Sequence, residues 1–277
     1  MNKMKNLKIN LHVTEKCNYK CRHCFSHFNK KIDLTLGQWC NIINNIKASK
    51  IIDAINFAGG EPVLYKGFDE LLKYAKNSGF KVSMISNGSL LLDENLFQAE
   101  NFKFLSTLGI SVDSTNENVL LMLGRCNKNR EVLYEDRLCE LVNVARKVNP
   151  SIKIKLNTVV SKINLNECIT RIEQKIRVDK WKFLKIKPFN DNGFSNLDLL
   201  ITDNEFSNFL GNNKRTEGQA IYEKSMVNSY IVIDNQGNLL DNRNENYDIV
   251  GNLLEESFSE IFRRYKFDRE LYESRYN

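Results

Sequence analysis

Six short runs rich in β-branched and aromatic residues recur along this 277-residue chain, at Leu7–Val13, Ile51–Phe57, Phe80–Ser86, Phe104–Val112, Ile152–Val160 and Trp181–Pro188. Stretches with helical periodicity lie between them, at Leu36–Ser49, Gly67–Ser78, Glu94–Glu100, Glu131–Val148 and Leu165–Ile176. Strands that alternate with helices imply a parallel sheet joined by helical crossovers. Six such units predict an α/β fold: a partial (β/α)6 barrel of the TIM type, with ligands at the C-terminal strand ends. Residues 1–190 hold these units. Residues 191–277 form a C-terminal extension with a short helix, a hairpin signal around Asn235–Gly237 and a basic final helix.

The alternation within the strands says more. Ile9, Leu11 and Val13 alternate with Lys8, Asn10 and His12, while Ile152, Ile154 and Leu156 alternate with Lys153, Lys155 and Asn157; Asn56 sits in the second run. Parallel strands covered on both faces are normally apolar throughout. One polar face per strand therefore predicts a wet, charged cavity inside the curled sheet. An antiparallel sheet with one solvated face would give the same alternation, but the βα rhythm argues against it.

The formal charge is 40 − 34 = +6. This favours an anionic partner (a nucleotide, a nucleic acid or a membrane surface), although a solvated lysine-rich surface fits the charge equally well. No stretch approaches 18 apolar residues. The opening MNKMKNLKINLHV has no apolar run and reads as a strand, not a signal peptide. With no amphipathic helix before that strand, no membrane anchor or membrane partner is expected. Seven cysteines without a secretion signal suggest ligands or buried thiols rather than disulfides, and a reducing cytoplasm. No obvious apolar patch signals self-association, so a monomer is expected.

Directly after the first strand, CNYKCRHC places Cys17, Cys21 and Cys24 in eight residues. Three thiolates in one loop can hold three irons of a [4Fe-4S] cluster and leave the fourth iron open for chemistry. Two other readings stand at this point. The thiols could be structural and buried. His27, at CxxH spacing from Cys24, could complete a Cys3His zinc site in a nucleic-acid-binding protein.

The motif, with Tyr19 inside it, resembles the signature of the radical S-adenosylmethionine (SAM) superfamily. Ala58-Gly59-Gly60-Glu61-Pro62 after the second strand resembles that superfamily's GGEP segment. Ser86-Asn87-Gly88 and Ser111-Val112-Asp113-Ser114 follow the third and fourth strands, where its members contact SAM. Within the superfamily, NLHVTEKCNYKCRHCF, INFAGGEPVL, VSMISNGSLL, ISVDSTNENVLLMLGR, IKLNTVVSKIN, VDKWKF and NSYIVID resemble the viperin family, in that family's order and spacing.

The resemblance implies a nucleotide dehydratase of the lyase class. Such an enzyme converts a ribonucleoside triphosphate, CTP or UTP here, to its 3′-deoxy-3′,4′-didehydro analogue. That product terminates RNA chains, which points to antiviral defence. The implied cofactors are a [4Fe-4S] cluster on Cys17, Cys21 and Cys24, and SAM held by Tyr19, Gly59, Gly60, Glu61, Ser86, Asn87, Ser111, Asp113 and Arg125. Asn10, His12, Asn56, Lys155, Asn157 and Lys182 would bind the nucleotide. Tyr230 would donate hydrogen late in the reaction. An external electron donor of the flavodoxin or ferredoxin type is implied, and no direct nucleic-acid binding.

The match departs in places. Animal viperins carry a phosphate-contacting lysine where this chain has Ala54, and a serine at Ala58. Lys8, Lys153, Arg269 and Arg275 are candidates to replace the missing cation. The tail is shorter than in animal viperins and lacks their terminal tryptophan. A peptide-modifying radical SAM enzyme is the second enzyme class. The dispersal of Cys40, Cys126, Cys139 and Cys168 counts against the auxiliary clusters such enzymes usually carry.

Overall fold

The computed structural model describes residues 7–24, 32–191, 194–215, 217–223, 230–243 and 247–276. His27 and the side chain of Arg275 lie outside the described residues. The strands are β1 (Leu7–His12), β2 (Ile52–Ala58), β3 (Lys81–Ser86), β4 (Thr107–Ser111), β5 (Lys153–Val160), β6 (Lys180–Lys185), β7 (Asn190–Asp191), β8 (Phe194–Ser195), β9 (Gln219–Glu223), β10 (Ile231–Ile233), β11 (Asn238–Asp241) and β12 (Asp248–Asn252). The helices are α1 (Leu36–Ser49), α2 (Phe68–Asn77), α3 (Glu117–Met122), α4 (Glu135–Val148), α5 (Asp203–Asn212), α6 (Phe258–Arg264) and α7 (Arg269–Tyr276).

Local chemistry explains the crossover helices. Thr35 caps α1: its hydroxyl accepts from the Gln38 amide at 3.3 Å, and the Gln38 side chain accepts from the Thr35 amide at 2.9 Å. That reciprocal pair satisfies two orphan donors. Trp39, Ile42, Ile43 and Ile46 then form one buried stripe. Leu138, Leu141, Val142 and Ala145 of α4 repeat the same spacing. These stripes pack on the outward residues of the strands, such as Ile9, Leu11, Ile55, Phe57, Ile154 and Leu156, which are fully buried.

The main sheet runs β12-β11-β10-β1-β2-β3-β4-β5-β6-β9. All neighbours from β10 to β9 pair in parallel; β11 and β12 add antiparallel beyond β10. The expected six strands are thus flanked on both edges by strands from the last quarter of the chain. The sheet is curled: Lys182 of β6 and Glu223 of β9 meet Tyr230, the residue before β10, so its two distant edges touch. Asn190–Asp191 and Phe194–Ser195 form a separate two-stranded ladder.

Two expected helices are 3-10 segments instead. In the Glu94–Glu100 region, Asp93 accepts hydrogen bonds from the amides of Asn95, Leu96 and Phe97, closing a turn, and the 3-10 segment begins only at Ala99 and runs to Phe104. Phe97 and Phe102 both anchor in the core. In the Leu165–Ile176 region the 3-10 segment covers Ile169–Gln174, started by the Asn213 side chain, which accepts from the Ile169 amide at 2.8 Å. Tertiary anchors override the weak helical period in both places. Among the described residues no helix is long and apolar enough to cross a membrane.

Candidate active site

The cysteine loop leaves β1 over the C-terminal rim of the barrel. The Val13 amide bonds the Ala58 carbonyl at 3.1 Å, the Arg22 amide bonds the Leu123 carbonyl at 2.9 Å, and the Cys24 amide closes a turn on the Cys21 carbonyl. Cys17 is exposed, Cys21 and Cys24 are partly covered, and all three are free thiols. Burial pushes the Cys21 thiol up, so the neutral thiol persists until a metal displaces its proton. Among the described residues, no three His, Cys, Asp or Glu side chains converge as ligands of one metal ion. Three thiols in one loop are a donor set that fits three irons of a multi-iron cluster.

The glycine pair after β2 is locked to this loop. A Cβ on Gly59, which has φ +138°, would stand 2.3 Å from the Thr14 carbonyl oxygen; one on Gly60 would stand 2.3 Å from that of Lys16. The Gly60 and Glu61 amides instead donate to those two carbonyls, each at 2.7 Å. Only glycine permits this backbone-to-backbone approach. Glu61 is wholly buried and accepts from the Ser86 hydroxyl and the Asn87 amide, both at 2.8 Å. Burial pushes its carboxyl up to about 7 against those hydrogen bonds. The Asn87 side chain donates to Asn18 within the cysteine motif at 2.8 Å, and Asn18 donates to Ser89 at 2.9 Å.

Asp113 and Arg125 form a second node. Arg125 Nε lies 3.1 Å from Asp113 Oδ2, Nη2 donates to the Ser111 carbonyl at 2.5 Å, and Nη1 lies 3.8 Å from Cys21 Sγ. The guanidinium also sits 5.7 Å from the centre of the Tyr19 ring. His23 Nε2 stands 3.3 Å from the same Asp113 oxygen. Burial alone would push the Asp113 carboxyl up, but Arg125 and His23 outweigh it and hold the group below its usual range.

The inward face of the strands is polar and buried. Asn10 donates to the Ile231 carbonyl at 3.1 Å, Asn56 donates to Asn10 at 3.0 Å, and Ser83 donates to Asn56 at 2.9 Å. Burial pushes His12 down to about 4, which makes it neutral. Asn157 and Lys182 are neighbours in register across β5 and β6. Asn157 Nδ2 is buried and makes no hydrogen bond with the described residues. The Lys182 ammonium contacts Glu223 and the Tyr230 hydroxyl, and that hydroxyl donates to Glu223 at 2.7 Å.

The cluster, SAM and nucleotide candidates fall on the rim or on the inward face, whereas Lys153 is exposed and Arg269 lies on α7. Ala54 and Ala58 are both buried there and bring no polar group. The reading missed Glu223, His23, Asn18 and Ser83. His23 and Asn18 lie inside the cysteine motif, and Ser83 obeys the inward alternation of β3, so all three were findable. Glu223 carries no local signal.

Comparison with known proteins agrees with the geometry. A model of the radical SAM superfamily matches residues 11–168, more than half of the chain. An S-adenosylmethionine-dependent nucleotide dehydratase of Selenomonas ruminantium is 49% identical, covering 97% of this chain and 98% of its own length. One of Psychrobacter lutiphocae is 32% identical over 98% and 95%, and the nucleotide dehydratase RSAD2 of Oncorhynchus mykiss is 27% identical over 95% and 77%. Among solved structures, Streptococcus suis SuiB bound to its precursor peptide SuiA superposes with TM-score 0.70 at 15% identity, covering 97% of this chain and 66% of that chain. The anSMEcpe enzyme with AdoMet and a peptide gives 0.68 at 15%, covering 96% and 84%. At such identity these two share the fold alone. The cysteine loop on a partial barrel, the family model and the full-length relatives converge: the chain belongs to the radical SAM superfamily and, within it, to the SAM-dependent nucleotide dehydratases of the viperin family.

Proposed function

We propose that this chain dehydrates a ribonucleoside triphosphate, CTP or UTP, to its 3′-deoxy-3′,4′-didehydro analogue. The observation that carries the reading is the polar inward face of β5 and β6, where Lys155 and Lys182 flank Asn157 with its unsatisfied amide. Such a surface suits the phosphates and hydroxyls of a nucleotide far better than an apolar or neutral peptide segment.

A cluster on Cys17, Cys21 and Cys24 together with SAM would supply reductive sulfonium cleavage and hydrogen abstraction from the ribose. The chain's part is positioning and electrostatics. Arg125 places a fixed positive charge beside Cys21, offsetting the negative charge of thiolate ligands. Glu61, Ser86, Asn87, Ser111 and Asp113 hold the rim on which SAM would lie, next to Tyr19 and the Gly59-Gly60 turn. Asn10, Asn56 and His12, the last a neutral imidazole, would orient the sugar hydroxyls. Lys155 and Lys182 would hold the phosphates. Tyr230, whose hydroxyl contacts Lys182 and Glu223, would give hydrogen late in the reaction. Glu223 and Tyr230 both come from residues 191–277, which supports the division into a barrel (1–190) and an extension completing the nucleotide site.

A product without a 3′-hydroxyl cannot be extended by a polymerase, and antiviral defence is the role that follows. The chain would act as a cytoplasmic monomer reduced by a flavodoxin- or ferredoxin-type donor. The test is anaerobic turnover of the reconstituted protein with SAM and dithionite, adding CTP, UTP, GTP or ATP singly. One triphosphate should accelerate 5′-deoxyadenosine release and lose the mass of one water. Slow SAM cleavage with every nucleotide unchanged would end the dehydratase reading.

A further inference from the structure

Both ends of the cysteine loop meet on one carboxylate. Thr14 stands three residues before Cys17, and Asp33 nine after Cys24. The Thr14 hydroxyl donates to Asp33 Oδ2 at 2.9 Å, and Lys16 Nζ lies 3.0 Å from the same oxygen. The other oxygen, Oδ1, accepts from the Asn235 side-chain amide at 3.1 Å. Thr14 and Asn235 are fully buried, and the Asp33 side chain is only 10% exposed. Lys16 lies mostly in water, so its ion pair is the weak member. The two hydrogen bonds from buried donors to the carboxylate are the strong ones.

Asn235 belongs to the turn between β10 and β11, and that turn is braced from within. Asp234 accepts from the Gln236 and Asn238 amides and from the Asn238 side chain, each at 2.9 Å. The chain beside Asp33 seats in this turn. The Leu34 amide donates to the Asn235 carbonyl at 3.2 Å, and the Gln236 side chain donates to the Ile32 carbonyl. At the other end, Thr14 is tied to the rim, because its carbonyl accepts from the Gly60 amide at 2.7 Å. Asp33 therefore joins three segments: the entry to the loop, its exit and the C-terminal extension.

The neighbouring elements do not depend on this carboxylate. Helix α1 has its own cap in Thr35 and Gln38, and β10 pairs with β1 along its backbone. What the carboxylate adds is closure of the loop. A loop that must bring several thiolates to one cluster loses conformational freedom when the metal enters. Holding its two ends together beforehand removes part of that cost.

We propose that Asp33 is a positioning residue for the iron–sulfur cluster: it clasps the cysteine loop shut against the β10–β11 turn, so that the loop is already closed when the cluster is taken up. The inference rests on the reading of Cys17, Cys21 and Cys24 as cluster ligands and on no assignment of the substrate. It gives residues 191–277 a second task. Besides completing the nucleotide site, they retain the cluster.

The test is retention of the cluster by the anaerobically reconstituted full chain. It is read as the rate of iron transfer to a chelator and as the EPR spectrum of the dithionite-reduced protein. If wild type takes up no cluster, the reading of the thiols falls and the inference falls with it. Asp33→Ala should lose iron about tenfold faster than wild type, because hydrogen bonds to a charged group are removed. Its EPR lines should broaden, as thiolates in several arrangements would make them. Asp33→Asn sets two amide donors against each other at Asn235 and should lose iron about fivefold faster. Adding Asn235→Asp to Asp33→Asn restores a donor facing an acceptor and should return the rate to within about twofold of wild type. Asp179→Ala is the control for general loss of stability. Asp179 accepts from the Ile154 amide at 2.8 Å and from Arg146 at 3.2 Å, just before β6 and so at the end of that strand opposite the rim. That variant should keep its iron as wild type does. Wild-type retention in Asp33→Ala would overturn the inference, as would equal acceleration in Asp33→Ala and Asp179→Ala. A double variant that loses iron as fast as Asp33→Asn would overturn the tie to the β10–β11 turn.

Discussion

At the C-terminal rim, Glu61, Asn87, Asp113 and Arg125 are buried with partners already in place: hydroxyl, amide, guanidinium and carbonyl within about hydrogen-bond reach of one another. On β5, Lys155 makes no hydrogen bond or ion pair with the described residues, and burial followed by the charges of Lys182, Lys8 and Lys180 pushes it well below its usual range. The rim completes its own electrostatics. The interior leaves positive charge to be completed from outside. A scaffold that must hold a reactive centre gains from the first arrangement, and a site that must capture an anion gains from the second.

That contrast can be tested from the largest effect downward. Cys21→Ala should abolish cluster binding and reduce SAM cleavage to background, read as iron content and 5′-deoxyadenosine; retained cleavage would mean that the thiols have been misassigned. Arg125→Ala strands the buried Asp113 carboxylate and should cost about 3–5 kcal/mol in denaturant unfolding. A loss below about 1 kcal/mol would show that the rim is not self-completed. Lys155→Met should move two quantities in opposite directions. Triphosphate binding should fall by about tenfold or more, while the ligand-free protein gains about 1 kcal/mol because a poorly compensated buried charge is gone. Loss of stability in that variant would contradict the proposed contrast between rim and interior.

The smallest effect is on pH dependence. Lys8 is held at about 8 in the folded chain, below the ordinary lysine value that the unfolded chain recovers. Between those two values the unfolded state binds more protons, so the Lys8 contribution makes stability rise with pH from about 8 upward. Below pH 8 the charged form carries its full cost. The slope of unfolding free energy over pH 8–10 should therefore be shallower in Lys8→Met than in wild type; identical slopes would place Lys8 in solvent.

Much of this was legible in the residues, and the failures divide between local signals and partners distant in the chain. Helix α1 covers the expected Leu36–Ser49 because its apolar stripe is a local signal. The alternation of Lys8, Asn10 and His12 with Ile9 and Leu11 announced the polar interior for the same reason. Asp93, which closes a turn on Asn95, Leu96 and Phe97, was a local signal against the helix expected at Glu94–Glu100, whereas two other features depend on partners distant in the chain. Asn213 starts the 3-10 segment at Ile169, and Glu223 meets Lys182 only because β9 docks on β6. The glycine pair was expected from its motif as an approach for SAM; the crowding that requires glycine comes from the Thr14 and Lys16 carbonyls. Periodicity reports which face of an element is buried and says nothing of what is brought to it.

The strands that flank the barrel on both sides also bear on how the protein is made. On a ribosome, β1 to β6 emerge first, and their outer edges stay unpaired until β9 and β10, ending at Ile233, have followed. Through that interval the nascent chain presents two open edges able to pair with a neighbour. Translation that stalls between Lys185 and Gln219 would release a fragment whose most exposed feature is its capacity to aggregate.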